Sequence, residues 1–181
     1  MNDDDRQLLL KLARGAIEAR VKTHTMPAPG TADVFAQMAG AFVTVHKRGQ
    51  LRGCIGHVEA DEPLGRVITR CAVAAASSDP RFSPVAPDEL PHIRVELSVL
   101  GPLERIERLE DIEIGRHGLV VEQGWSRGLL LPQVAVEWKW DRQTFAEETC
   151  RKAGLPPQAW VTGAKMWRFE AEVFSEAEHG N

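Results

Sequence analysis

The sequence predicts an α+β fold, an antiparallel sheet with helices packed on it, and three observations lead there. Residues 41–46 are β-branched and aromatic, and an Arg48-Gly49 turn joins them to a second extended stretch that starts at Leu51. Strands linked by so short a turn must pair antiparallel. Apolar and polar residues alternate through Ile93, Val95, Leu97 and Val99, and again through Trp167, Phe169, Ala171 and Val173. Helix-period stripes accompany these strands: Leu9, Leu12, Ala13, Ala16 and Ile17 form one, and Leu64, Val67, Ile68, Cys71, Ala72 and Ala75 form another. The sheet is expected to hold strands at 41–46, 51–58, 92–100 and 165–174. A single domain over residues 1–181 fits the length, with 105–136 a candidate for a smaller lobe.

In chain order, acids at Asp3 to Asp5 favour a helix start, and the first stripe predicts a helix over 4–21. Pro27, Pro29 and Gly30 break it into loop. Centring the first hairpin on Arg48 and Gly49 pairs Val45 with Arg52 and Val43 with Cys54. Asp61 is placed as the N-cap of the next helix, with Pro63 in its first turn and an end near Ser77. Cys71 lies within that helix's stripe and is assigned to the core. Asp79-Pro80-Arg81-Phe82-Ser83-Pro84 follows as a proline-bounded loop. A second hairpin is expected from Leu119–Glu122 through Gly124 to the run 128–134. Asp141 should cap a later helix that carries Cys150 on its apolar side and stops at Gly154. Trp138, Trp140 and Trp160 flank it as packing residues. Residues 176–181 read as a frayed polar tail.

Composition excludes several classes. Hydrophobic residues at 43% and charged residues at 27% are ordinary for a soluble globular protein. The net charge of −4 gives no field to gather phosphates, so no nucleic acid partner is expected. Cys54, Cys71 and Cys150 are widely spaced, without a C-x-x-C pair, which argues against a disulfide framework or a structural zinc. The acidic start is wrong for a signal peptide, and no apolar run reaches membrane-spanning length. A cytoplasmic protein with reduced thiols and no membrane association is expected. Phosphate-binding glycine loops, the H-E-x-x-H pair and the G-x-S-x-G elbow are missing from the sequence, so no cofactor and no metal is implied.

The stretch Leu51-Arg52-Gly53-Cys54-Ile55-Gly56 stands out, because glycine inside a strand marks a bulge or a close approach by a ligand or another backbone. Alternation puts Arg52, Cys54 and Gly56 on one face and Leu51, Gly53 and Ile55 on the other. A cation beside a thiol lowers its pKa, so Arg52 is a candidate activator of Cys54. Equally, the small residues would let a helix pack close. His57 would share the cysteine's face only through a bulge at Gly56. Arg81 is a candidate anion contact; the alternative is a pairing with an acid. His117, between two glycines in the chain, can titrate near neutrality.

These six residues resemble the signature of the AMMECR domain family. The strings Asp79 to Pro84, Asp88-Glu89-Leu90-Pro91, Gly115-Arg116-His117-Gly118 and Leu130-Leu131-Pro132-Gln133-Val134 match further family motifs in family order, over about Phe42 to Phe174. His57 departs from the small residue more usual there. The resemblance implies a kind of protein and leaves its reaction open. Microbial relatives are associated by name with Memo-type and radical-SAM-type proteins, which implies a partner in a shared pathway. Two functional readings follow. In the first, an accessory protein binds an unknown small molecule or protein partner through Arg52, Gly53, Gly56 and Arg81. In the second, Cys54 is a catalytic nucleophile with His57 or His117 as its base.

Overall fold

The computed structural model describes residues 1–177. The chain divides into two compact units: Met1–Leu100 with the chain from Glu172 onward, and Gly101–Ala171.

The first unit opens with α1 (Asp3–Thr23), capped by the Asn2 side chain, which accepts the Asp5 N–H at 2.7 Å. His24, at φ 55°, ends it in the left-handed region. A short α2 (Asp33–Ala36), β1 (Ala41–Lys47), β2 (Gln50–His57), α3 (Leu64–Ser77) and β3 (Ile93–Leu100) follow. The strand order is β2–β1–β3, with both ladders antiparallel. Arg48 and Gly49 both have positive φ, 50° and 77°, the turn geometry that suits the right-handed twist of a two-residue hairpin. Val43, Val45, Val95 and Leu97 face Leu9, Ala13 and Ile17 of α1 and Val67, Ile68 and Cys71 of α3 in one apolar core.

The hairpin register differs from the simple one. Lys47 pairs with Gln50 and His46 with Leu51, but then the register shifts, so Val45 pairs with Gly53 and Thr44 with Cys54. Arg52 is the extra residue of a bulge. In the unshifted register it would sit opposite Val45 on the core face, where a guanidinium would lose its hydration. The bulge turns Gly53 and Ile55 to that face instead. Asp61 is also not a cap: α3 starts after Pro63 with no side-chain cap, and the Asp61 carboxylate is bonded to His57.

The chain after Glu172 returns to this unit. Glu176 is not frayed: Arg14 donates to both of its oxygens and to the carbonyls of Leu90 and Ile93, and Glu176 accepts the Val95 N–H. The rest of the expected tail, 178–181, lies outside the described residues.

The second unit holds β4 (Glu104–Ile106), β5 (His117–Gln123), β6 (Ser126–Leu130), α4 (Pro132–Glu137), α5 (Arg142–Lys152), α6 (Ala159–Thr162) and most of β7 (Lys165–Ser175). β5 pairs with β6 and β7, β4 pairs with β7, and all three ladders are antiparallel. The strand expected to reach Val134 stops at Leu130, because Pro132 cannot donate to a ladder and instead opens α4 at its first position. Asp141 caps α5 by accepting the Thr144 N–H at 2.8 Å, and Gly154 takes positive φ just past its end. Ile112, Leu119, Phe145 and Cys150 are buried in this unit's own core. Antiparallel strands with helices packed on them make the fold α+β. Among the described residues no helix is long and apolar enough to cross a membrane.

Candidate functional site

The signature strand β2 pairs with β1 on one side only, so the backbone groups on its other edge need partners. Asp79, just past α3, supplies one: its Oδ2 accepts the Cys54 N–H at 3.0 Å. Arg81 grips the same carboxylate, donating from Nε to Oδ1 at 3.0 Å and from Nη2 to Oδ2 at 2.8 Å, and its backbone N–H reaches Oδ1 at 3.1 Å. Nη2 also lies 3.5 Å from the Cys54 carbonyl oxygen. The pair thus serves both backbone groups of Cys54, as a neighbouring strand would. Asp79 is only 4% exposed, yet the Arg81 guanidinium, helped by the two backbone N–H donors, holds its carboxyl far below the usual range against the cost of burial. The Arg81 side chain keeps 55% of its surface exposed and lies over the Phe82 ring at 5.4 Å.

Cys54 itself is half-buried, with Sγ 3.3 Å from the Thr44 hydroxyl. Burial pushes its thiol up; Thr44 and Arg81 oppose this, and Asp79 and Glu96 add to it. The expected lowering by Arg52 does not occur. Arg52 is spent elsewhere, on a two-pronged pair with Glu89 at 3.0 and 2.9 Å and on the carbonyls of Ser83 and Pro84. Glu89 also takes Lys47 at 2.7 Å and the Ala86 N–H at 2.9 Å. These donors, Arg52 foremost, push its carboxyl down to about 2. Arg52 therefore ties the segment after α3 to the edge of β2.

The strand glycines are filled from within. A Cβ on Gly53 would stand 2.1 Å from the Ala75 carbonyl oxygen, so α3 packs directly on the backbone there. A Cβ on Gly56 would stand 2.3 Å from the Phe42 ring, which occupies the space a side chain would need.

His57 and His117 have separate surroundings. The His57 ring bonds Asp61 at 2.6 Å and stands 3.9 Å from Glu62, whose two oxygens are both held by Arg70 at 2.7 and 2.8 Å. Ligand atoms of His57, Asp61 and Glu62 lie within 4.8 Å of one another, but these contacts already engage all three. His117 belongs to the second unit, where its Nδ1 accepts the Glu113 N–H at 2.9 Å. The fold thus brings Cys54 and Arg81 together and gives Arg52, His57 and His117 each a different carboxylate or backbone partner. Thr44, Asp79 and Glu89 are the residues sequence reasoning underrated. A carboxylate two residues before Arg81 was the available signal for Asp79.

An antiparallel α+β protein whose signature strand is closed at its edge by an Asp–Arg pair is the class these features define. The chain belongs to the AMMECR1 family, whose model matches residues 10–174. It is 46% identical to a protein of Methanothermobacter thermautotrophicus, over 97% of this chain and 96% of that one. A protein of Methanosarcina barkeri is 44% identical, over 98% and 93%. Among solved structures, an uncharacterised protein of Pyrococcus horikoshii superposes with a TM-score of 0.92 at 42% identity, covering 97% of this chain and 93% of that one. The family resemblance carried by the signature is thereby established.

Proposed function

We propose that this protein is a cytoplasmic accessory protein that binds a small ligand or a protein partner at the signature strand, without nucleic acid or membrane. The observation that carries the reading is Arg81: its guanidinium is fixed by the buried Asp79 yet more than half exposed beside Cys54. A pre-oriented, partly dry guanidinium suits a carboxylate or phosphate on a ligand or partner. Arg52, Gly53 and Gly56 contribute by shaping the strand under it. The net charge of −4 and three free cysteines support the rest of the description. The thiol-enzyme reading has less support, since burial raises the Cys54 thiol and the sulfur's hydrogen-bond partner is Thr44 rather than an imidazole.

Memo-type and radical-SAM-type proteins are the partners to try first. Titration of each, purified, against the wild type and Arg81→Ala tests the reading by calorimetry. Saturable binding that Arg81→Ala weakens by about tenfold is expected, the loss of one charge-assisted contact. Equal affinity of the two forms, or no binding by either, would sink it.

A further inference from the structure

The second unit contains a cleft of about 360 Å³ that the reading above does not use. Its wall is built from β4, the 109–113 turn, the start of β5, the start of α5 and the middle of β7. We propose that this cleft binds a small molecule that carries both a carboxylate and an amine.

Most of the charged groups lining the cleft are already committed to one another. Three arginines and five carboxylates face the cleft. Arg168 is paired with Glu104 and donates to the Asp111 carbonyl; Arg116 is paired with Glu170 and Glu113. Arg142 differs. Its Nε donates to the Ile112 carbonyl, and among the described residues no carboxylate lies within ion-pair distance of it. Among the described residues its two terminal nitrogens have no hydrogen-bond acceptor.

His117 adds a directed donor. The residue is 5% exposed and lines the cleft. Because Nδ1 accepts the Glu113 N–H, the ring proton sits on Nε2, for which the described residues supply no acceptor. Burial, with Arg168 and Arg116 nearby, lowers the pKa of the ring and keeps it neutral, so Nε2 offers an N–H rather than a second cation. A neutral N–H and an unpaired guanidinium are a matched pair of donors for a carboxylate.

The acids decide against a simple anion. Glu110 has no hydrogen bond or ion pair among the described residues, and Asp111 has only a 3.5 Å contact to Arg108. After the internal pairs are set aside, the 3.5 Å Arg108–Asp111 contact among them, the cleft presents one cation, one N–H donor and the carboxylate of Glu110. A lone anion would leave Glu110 unpaired, and a lone amine would leave Arg142 unpaired. A zwitterion answers both.

The test uses γ-aminobutyrate as probe, with butyrate and butylamine as single-charge controls, on the full chain. Binding is read from the His117 imidazole resonances, assigned through His117→Gln. A saturable shift with γ-aminobutyrate is expected, at a concentration about tenfold below either control, since each control forfeits one ionic contact. Arg142→Gln and Glu110→Gln should each raise the dissociation constant about tenfold. Both side chains are exposed, so the variants keep the fold, and Arg151→Gln controls for loss of a charge on α5 outside the cleft. No saturable shift, butyrate or butylamine binding as tightly as γ-aminobutyrate, or unchanged affinity in Arg142→Gln would overturn the proposal. None of these outcomes bears on Arg81, so the two sites fail separately.

Discussion

Asp79 and Cys54 are joined by a single hydrogen bond, the backbone N–H of the cysteine donating to Oδ2 of the aspartate at 3.0 Å. Removing the carboxylate in Asp79→Ala leaves that N–H and the Arg81 guanidinium without their acceptor. Destabilisation of about 1–3 kcal/mol is expected in urea unfolding, the range for orphaning partly buried donors, moderated because Arg81 is half in solvent.

The Glu89 carboxylate sets an acid limit. Glu89 is pushed down to about 2 from an ordinary 4.5 by Arg52 and Lys47. A group depressed in the folded state stabilises above its unfolded value and loses that contribution as pH falls through the folded one. Wild-type stability should therefore drop between about pH 4.5 and 2. Glu89→Gln should be weaker by about 2 kcal/mol at neutral pH and fall less steeply over that interval. Unfolding free energies measured at half-unit pH steps check both slopes; parallel curves would refute the assignment.

Two glycines only three residues apart should respond differently to alanine. At Gly53 the added methyl meets the Ala75 backbone oxygen, which can move only with α3; at Gly56 it meets the Phe42 ring, which can rotate. Gly53→Ala should cost about 3 kcal/mol and Gly56→Ala about 1 kcal/mol, the two ends of the overpacking range. Denaturant midpoints of the two variants decide the order.

Brief iodoacetamide treatment should modify Cys54 before the buried Cys71 and Cys150, because it alone is partly open. Its pH midpoint should lie above the ordinary thiol value of 9.0, since burial raises it. Arg81→Ala should move the midpoint higher still, because that cation favours the thiolate. Mass-spectrometric mapping across a pH series reads all three thiols; a midpoint below 9.0 would show that the nearby cation outweighs burial.

Much of the fold was legible because it rests on local rules. The Arg48-Gly49 turn, the Asp141 cap and the Gly154 stop each depend on backbone preferences that one or two residues declare. Others depend on tertiary need. The bulge at Arg52 exists to keep a guanidinium off the Val45 face, and one extra residue leaves no mark on composition. Asp79 lies in a proline-bounded loop, and its service to the edge of β2 appears only when residues 54 and 79 meet. Leucines at 129–131 continue a strand pattern into Pro132, where hydrogen-bonding capacity, not hydrophobicity, ends it. The cleft around His117 draws on positions from 104 to 170, a separation no motif spans.

The return of the chain from Glu172 to the first unit has a consequence for synthesis. Arg14, near the start, finds its carboxylate only at Glu176, so the ribosome must deliver the whole second unit first. At about 5–20 residues per second, that interval lasts on the order of ten seconds. The second unit is continuous in sequence, so all of its residues are available once Ala171 emerges. The part of the protein made first is therefore the part completed last, and nascent chains truncated before Glu172 would carry a closed second unit beside an unfinished first one.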